Sequence, residues 1–257
     1  MSDGKPQPVY RADYRQPDYW IDEVDLHFDL GEDETWVNAS LAVRVNERLS
    51  GDAPPLVLHG EALELVGVRV DGRALGPSEY LADEKSLTLQ NVPRRFRLET
   101  RVRIRPQENT ALSGLYQSGA LFCTQCEAMG FRRITYFLDR PDVMALFTTT
   151  IDADRERYPV LLSNGNRIEE TDLGDGRHRV RWQDPHRKPS YLFALVAGDL
   201  RCHSGEFRTA SGRNVRLEIW VEPENLDRCE HALRSLQKAM AWDEERFGLE
   251  YDLDVYM

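Results

Sequence analysis

The sequence predicts a mainly β protein: an antiparallel sandwich or saddle, followed by a small sheet and a helix that open a second unit. Two observations predict it. Apolar and polar residues alternate in short runs from Val24 to about Ala197, each run closed by a polar turn, as in strands buried on one face. The spacing then changes once. Leu226, Cys229, Leu233, Leu236 and Met240 recur at three- and four-residue steps, which is the period of an amphipathic helix.

Taken in order, residues 1–20 are rich in proline and tyrosine without a period and predict an arm laid over the surface. Val24, Leu26, Phe28 and Leu30 form the first alternating run, and Val37, Ala39, Leu41, Val43 and Val45 the second. Leu56–Leu58 is a short apolar strand. Val68–Val70 runs into Asp71-Gly72, a hairpin turn pair. Leu87 and Leu89 precede another turn, and the run from Phe96 to Ile104 ends at Pro106. Between Asn109 and Asp142 the period is lost, which predicts a long functional loop covering one edge of the sheet. Strands resume at Leu146–Ile151 and Val160–Ser163, a turn follows at Ser163–Asn166, and Arg179–Trp182 and Tyr191–Ala197 are further strands. Many short strands with polar turns read as packed antiparallel sheets.

Gly198-Asp199 marks the expected boundary, giving domains of 1–199 and 200–257. Beyond it, Ser211-Gly212 is the turn of a strand pair. Pro223 suits a helix start and Gly248 a helix end, so a helix is expected near 224–247. Leu253 and Val255 resume strand alternation before Met257. A chain stopping inside a fresh strand is expected to be the front part of a larger enzyme.

A composition of 41% hydrophobic and 30% charged residues is that of an ordinary soluble globular protein. The net charge of -11 argues against nucleic acid and anionic membrane as partners. No apolar run approaches the ~20 residues of a bilayer span. No apolar signal segment follows Met1–Pro6, so a cytoplasmic address is expected. Cysteines at 123, 126, 202 and 229 are too sparse for a disulfide framework.

Cys123-x-x-Cys126 has the spacing of a redox pair or half a zinc knuckle. A four-thiolate site needs a second close pair, and Cys202 and Cys229 are far apart in sequence. Buried or half-buried thiols are therefore expected. None of the six histidines belongs to a His-Glu-x-x-His pair, and His178 and His186 are expected in solvent. The interleaved Phe131-Arg132-Arg133 and Tyr136 could stack on RNA, but the acidic surroundings oppose it. Glu127 differs from the many surface acids. It lies in the aperiodic stretch beside Gln125 and two cysteines, residues that favour burial. A carboxylate in a partly dry cleft needs a partner. That partner is either a ligand ammonium or a structural arginine, Arg132 or Arg133.

Several segments carry a family resemblance. They are Tyr10-Arg11-x-Asp13-Tyr14, Gly114-Leu115-Tyr116-Gln117-Ser118-Gly119, Cys123-Thr124-Gln125-Cys126-Glu127, Tyr136-x-Leu138-Asp139-Arg140-Pro141-Asp142-Val143 and Leu162–Asn166. Tyr191–Gly198 and Trp242–Leu249 extend the match. Together these segments resemble the N-terminal part of the bacterial-type aminopeptidase N group, alanyl aminopeptidases of the gluzincin zinc metallopeptidases. Outside the bacterial subgroup an aromatic residue often replaces Cys126, and Asp-Glu-Pro replaces Asp139-Arg140-Pro141. Both positions therefore point to that subgroup.

The resemblance implies a saddle-like β domain followed by the start of an α/β thermolysin-like catalytic domain. It implies that Glu127 holds the free α-amine of a peptide substrate and that Gln125 lines the same pocket. Zn2+ is implied for the full-length enzyme, which is expected to be a monomer. Its catalytic and C-terminal domains, the zinc ligands included, would follow residue 257. This chain alone is expected to be inactive and to bind no metal, with no catalytic residue of its own. A stand-alone β-sandwich binding or scaffolding module is the competing reading, separated by whether a Gly-x-Met-Glu-Asn and a His-Glu-x-x-His segment are encoded downstream. An epoxide-hydrolysing relative is disfavoured, because those carry glutamine where Glu127 stands.

Overall fold

Alternation becomes sheet most directly in β1 (Tyr19–Leu30) and β2 (Thr35–Val45), where nearly every second side chain is buried. They pair antiparallel, with Leu26 opposite Ala39 and Phe28 opposite Val37. The fold is seen in a computed structural model that describes residues 10–257. Met1–Pro6 and the front of the expected arm lie outside the described residues. The rest of the arm lies on the body: the Tyr14 hydroxyl donates to Asp142 at 3.0 Å, and Arg140 donates to the Arg15 carbonyl at 2.7 Å.

The short runs follow as β3 (Leu56–His59), β4 (Glu64–Val70), β5 (Arg73–Ala74), β6 (Tyr80–Ala82), β7 (Ser86–Leu89) and β8 (Arg95–Ile104). Asp71-Gly72 is the β4–β5 turn as expected. The stretch from Asn109 to Asp142 is not all loop. It contains a hairpin, β9 (Gly114–Ser118) and β10 (Leu121–Gln125). Tyr116, Gln117, Cys123 and Thr124 are all half-buried, so both faces are partly covered and no alternation survives to be read.

β11 (Met144–Asp154) and β12 (Val160–Ser163) come next. β13 (Asn166–Gly174) escapes the sequence reading because it is an edge strand with nearly every residue exposed. β14 (Arg177–Pro189) precedes β15 (Leu195–Gly198), and residues Ser190–Leu192 form a 3₁₀ turn rather than the start of that strand.

Four sheets result. The large one has eight strands in the order β13-β14-β11-β1-β2-β8-β4-β5. It is antiparallel except at its centre, where β1 and β11 run parallel with Phe28 opposite Ile151. Its apolar face shares one core with a three-stranded sheet (β3-β7-β6) and a four-stranded sheet (β12-β15-β10-β9). Leu56, Leu58 and Leu87 enter from the first, and Phe122, Leu161 and Leu195 from the second. An aromatic cluster of Phe28, Phe131, Phe137, Phe147 and Phe193 lies among them, with the Phe131 and Phe137 ring centroids 4.9 Å apart.

After Asp199 come β16 (Arg201–Arg208), β17 (Asn214–Val221), helix α1 (Cys229–Phe247) and β18 (Val255–Tyr256). β18 pairs parallel to β17. Val215, Leu217, Leu233 and Met240 form a separate cluster under the helix, whereas Val255 joins the main core. Pro223 opens a 3₁₀ turn, Pro223–Arg228, so the α-helix proper begins later than expected. Gly248 ends it in the left-handed conformation at φ 66°. The end of the helix exposes apolar side chains: Trp242 and Phe247 stack edge to face at 5.4 Å, and both are more than half exposed.

One histidine departs from expectation. His178 is 1% exposed, not solvated, and its Nε2 lies 2.8 Å from the Tyr158 carbonyl. It shares the inward face of β14 with Val180 and Trp182, so strand alternation decides its burial. His186 is half-exposed, as expected, beside Asp252.

Candidate functional site

The site is built on the end of the β9–β10 hairpin. Gln125 is the last residue of β10 and sits opposite Gly114. Thr124 locks this end to β15: its hydroxyl accepts from the Leu195 N–H at 2.9 Å. The chain then turns. Gly130 N–H donates to the Cys126 carbonyl at 2.7 Å, and Arg133 N–H donates to the Gly130 carbonyl at 3.0 Å. The turn is too tight for a side chain at residue 130. A Cβ there would lie 2.4 Å from the Gln125 carbonyl oxygen and 2.9 Å from Cys126 Cα.

Within this turn the side chains part. Cys126 is 2% exposed, and burial, with a smaller push from Asp139, raises its thiol pKa to about 12. It is a packed thiol and not a nucleophile at neutral pH. Gln125 and Glu127 are exposed. The Gln125 amide donates to the backbone carbonyl of Glu127 at 3.2 Å. The Glu127–Ala128 peptide is cis.

The expectation that Glu127 is half-dry is corrected, and so is the arginine pairing offered for it. Arg132 pairs with Asp139, its Nε 3.0 Å from Oδ2. Arg133 pairs with Glu61. Among the described residues the Glu127 carboxylate makes no ion pair. The reason is topological. The 3₁₀ turn Phe131–Arg133 puts Phe131 into the aromatic core at 0% exposure, and the two arginines that follow are held by Asp139 and by Glu61, which closely follows β3. Glu127 is left with a free acceptor facing outward from a fixed loop.

The anchor of that loop was not legible in the sequence. Asp139 is 3% exposed. Its carboxylate accepts from the Ser190 hydroxyl at 2.6 Å and from the Arg132 N–H and Nε. Its own N–H donates to His59 Nδ1 at 3.3 Å. Burial, and then the Arg132 charge, lower the His59 pKa, which keeps that ring nitrogen available as an acceptor. No periodic spacing links residues 59, 132, 139 and 190; only the fold brings them together.

Gln125 and Glu127 do not line the apolar groove of about 660 Å³ between the four-stranded sheet (Leu162, Val196) and the C-terminal segment (Tyr251, Leu253, Tyr256). All four cysteines are free. Among the described residues no three His, Cys, Asp or Glu side chains are grouped to hold a metal, so those residues do not fit a zinc site.

The family described as Peptidase M1 N-terminal domain matches residues 22–192. The chain is 55% identical over 254 residues to aminopeptidase N of Escherichia coli (strain K12), covering 98% of this chain and 28% of that protein. It is 51% identical to aminopeptidase N of Caulobacter vibrioides, covering 100% of this chain and 29% of that protein. The chain thus spans less than a third of the length of these relatives. Among solved structures, Legionella pneumophila aminopeptidase A in complex with aspartic acid superimposes with a TM-score of 0.91 at 40% identity, over 96% of this chain and 29% of that one.

Proposed function

This chain belongs to the Peptidase M1 N-terminal domain family, and on that premise we propose that it is the substrate-amine recognition part of a zinc aminopeptidase that removes N-terminal residues from peptides. Glu127 holds the α-ammonium, and Gln125 lines the same pocket. The observation that carries the reading is the state of Glu127: an unpaired, outward-facing carboxylate on a loop whose other charged side chains are paired. An exopeptidase must recognise a terminal ammonium, and a fixed carboxylate does so by a charge-assisted hydrogen bond. It thereby sets the position of the first peptide bond.

Zn2+ and its ligands belong, in this proposal, to the remainder of the enzyme beyond the domains proposed at 1–199 and 200–257. The chain alone is then inactive. The remainder would also cover Glu127 and exclude the water that now reaches it. Four free thiols support a reducing, cytoplasmic setting.

The test is Glu127→Ala in the full-length enzyme. A hydrogen bond to a charged group contributes roughly 1.5–3 kcal/mol, so kcat/KM for a free-amine substrate should fall about ten- to a hundred-fold. Glu127→Gln should be milder and Gln125→Ala milder still, with zinc content unchanged in all three. A Glu127→Ala enzyme within twofold of the parent would remove the assignment.

A further inference from the structure

The amine anchor needs a foundation, because a carboxylate that selects by position must itself be held in position. Glu127 has no side-chain partner among the described residues, so its position comes through the backbone. That backbone leads to one buried group. Cys126 is tied to Gly130, Gly130 to Arg133, and the Arg132 backbone N–H ends on the Asp139 carboxylate. Arg132 closes the clamp twice more, through Nε to Asp139 Oδ2 at 3.0 Å and through Nη2 to the Asp139 carbonyl at 3.1 Å. Asp139 is itself fixed from outside the loop. Ser190, in the 3₁₀ turn before β15, donates to Oδ1, and His59 at the end of β3 takes its N–H. The Arg132 carbonyl also accepts from Glu61 N–H at 2.9 Å.

We propose that Asp139 is a positioning residue for substrate amine recognition, joining the β3 end, the Ser190 turn and the Arg132 turn into one rigid support for Glu127. This inference rests on the reading of Glu127 as the amine anchor. Asp139 touches no substrate. It acts by fixing the turn from Gln125 to Arg133, so its loss is felt only where the position of Glu127 matters.

The experiment is a double-mutant cycle in the full-length enzyme, with two readouts: kcat/KM for an alanyl aryl-amide, and affinity for two competitive inhibitors that differ only in having or lacking the α-amine. Asp139→Asn keeps the shape and removes the charge that Arg132 and Ser190 share. It should lower kcat/KM and weaken the amine-bearing inhibitor about tenfold, while the amine-free inhibitor binds within twofold of the parent. In the Glu127→Ala background, Asp139→Asn should change either readout less than twofold. If Glu127→Ala alone has no effect, the anchor reading fails and this inference with it. If Glu127→Ala is damaging but Asp139→Asn is silent, weakens both inhibitors alike, or keeps its full penalty without Glu127, the positioning role alone is overturned. Should Asp139→Asn not yield folded enzyme, Ser190→Ala decides by the same cycle. It removes one hydrogen bond and leaves the Asp139–Arg132 pair, so a two- to fourfold, amine-specific loss is expected, and none overturns the proposal.

Discussion

The ammonium of Lys188 lies 3.0 Å from the Asp184 carboxylate and 4.1 Å from the centre of the Phe147 ring, with both charged residues less than 9% exposed. Burial depresses the Lys188 pKa to about 8, against the opposing pull of Asp184. Removing one member of such a pair strands the other, whereas replacing both by apolar groups is often neutral. Asp184→Ala should therefore destabilise the chain by about 3–5 kcal/mol, and Asp184→Leu combined with Lys188→Met should recover most of that loss. Urea denaturation at pH 7 measures both.

The same lysine sets an alkaline pH dependence. Its folded pKa of about 8 lies below the unfolded value of about 10.4. Between these values the unfolded chain binds more protons, so this group's contribution to stability rises with pH across that window. Lys188→Met should flatten the slope of unfolding free energy between pH 8 and 10 relative to the parent. An unchanged slope would mean that Lys188 titrates normally.

Asp152 sets the acid side. Burial pushes its pKa up, but hydrogen bonds from Arg179, at 2.7 Å to each oxygen, and from His27, at 2.8 Å, outweigh burial and hold it well below the usual carboxylate range. A depressed carboxylate stabilises the fold above its unfolded pKa of about 3.9, and that stability is lost as pH falls toward the folded value. Asp152→Asn should lose roughly 1.5–3 kcal/mol at pH 7, and the difference from the parent should shrink below pH 4. A difference that stays constant from pH 7 to pH 2 would contradict this.

Gly130→Ala places a Cβ 2.4 Å from the Gln125 carbonyl and 2.9 Å from the Ser113 hydroxyl. The loop must shift, at about 1–3 kcal/mol. Gly67→Ala, in β4, meets nothing within 4 Å and should be neutral or gain about 0.4–1 kcal/mol by restricting the unfolded chain. Thermal unfolding of the two variants side by side checks the contrast.

Much of the fold was legible because one-sided burial writes itself into sequence. β1, β2 and β8 each bury alternate side chains against the core, and α1 buries Cys229, Leu233 and Met240 along one stripe. Where that condition fails, so does the reading. β13 buries almost nothing, and the β9–β10 hairpin is half-covered on both faces. The candidate anchor was singled out by residue type and family likeness, but its surroundings were misjudged. The neighbouring cysteine is buried while Glu127 itself is exposed, since successive side chains in a tight turn point apart.

By itself, then, the sequence determined the strands with a single buried face, the turn residues, the helix with its Gly248 cap, and Glu127 as the residue to examine. Only the tertiary structure decided that β1 lies parallel to β11, that His178 is buried, and that Arg132 belongs to Asp139 rather than to Glu127. The physical reason is range. Periodicity and capping are local, fixed by dihedral angles and by one solvent boundary. Partner choice among charges joins residues as distant in sequence as His59, Asp139 and Ser190, and it is settled by which groups the core leaves within hydrogen-bonding distance once water is gone.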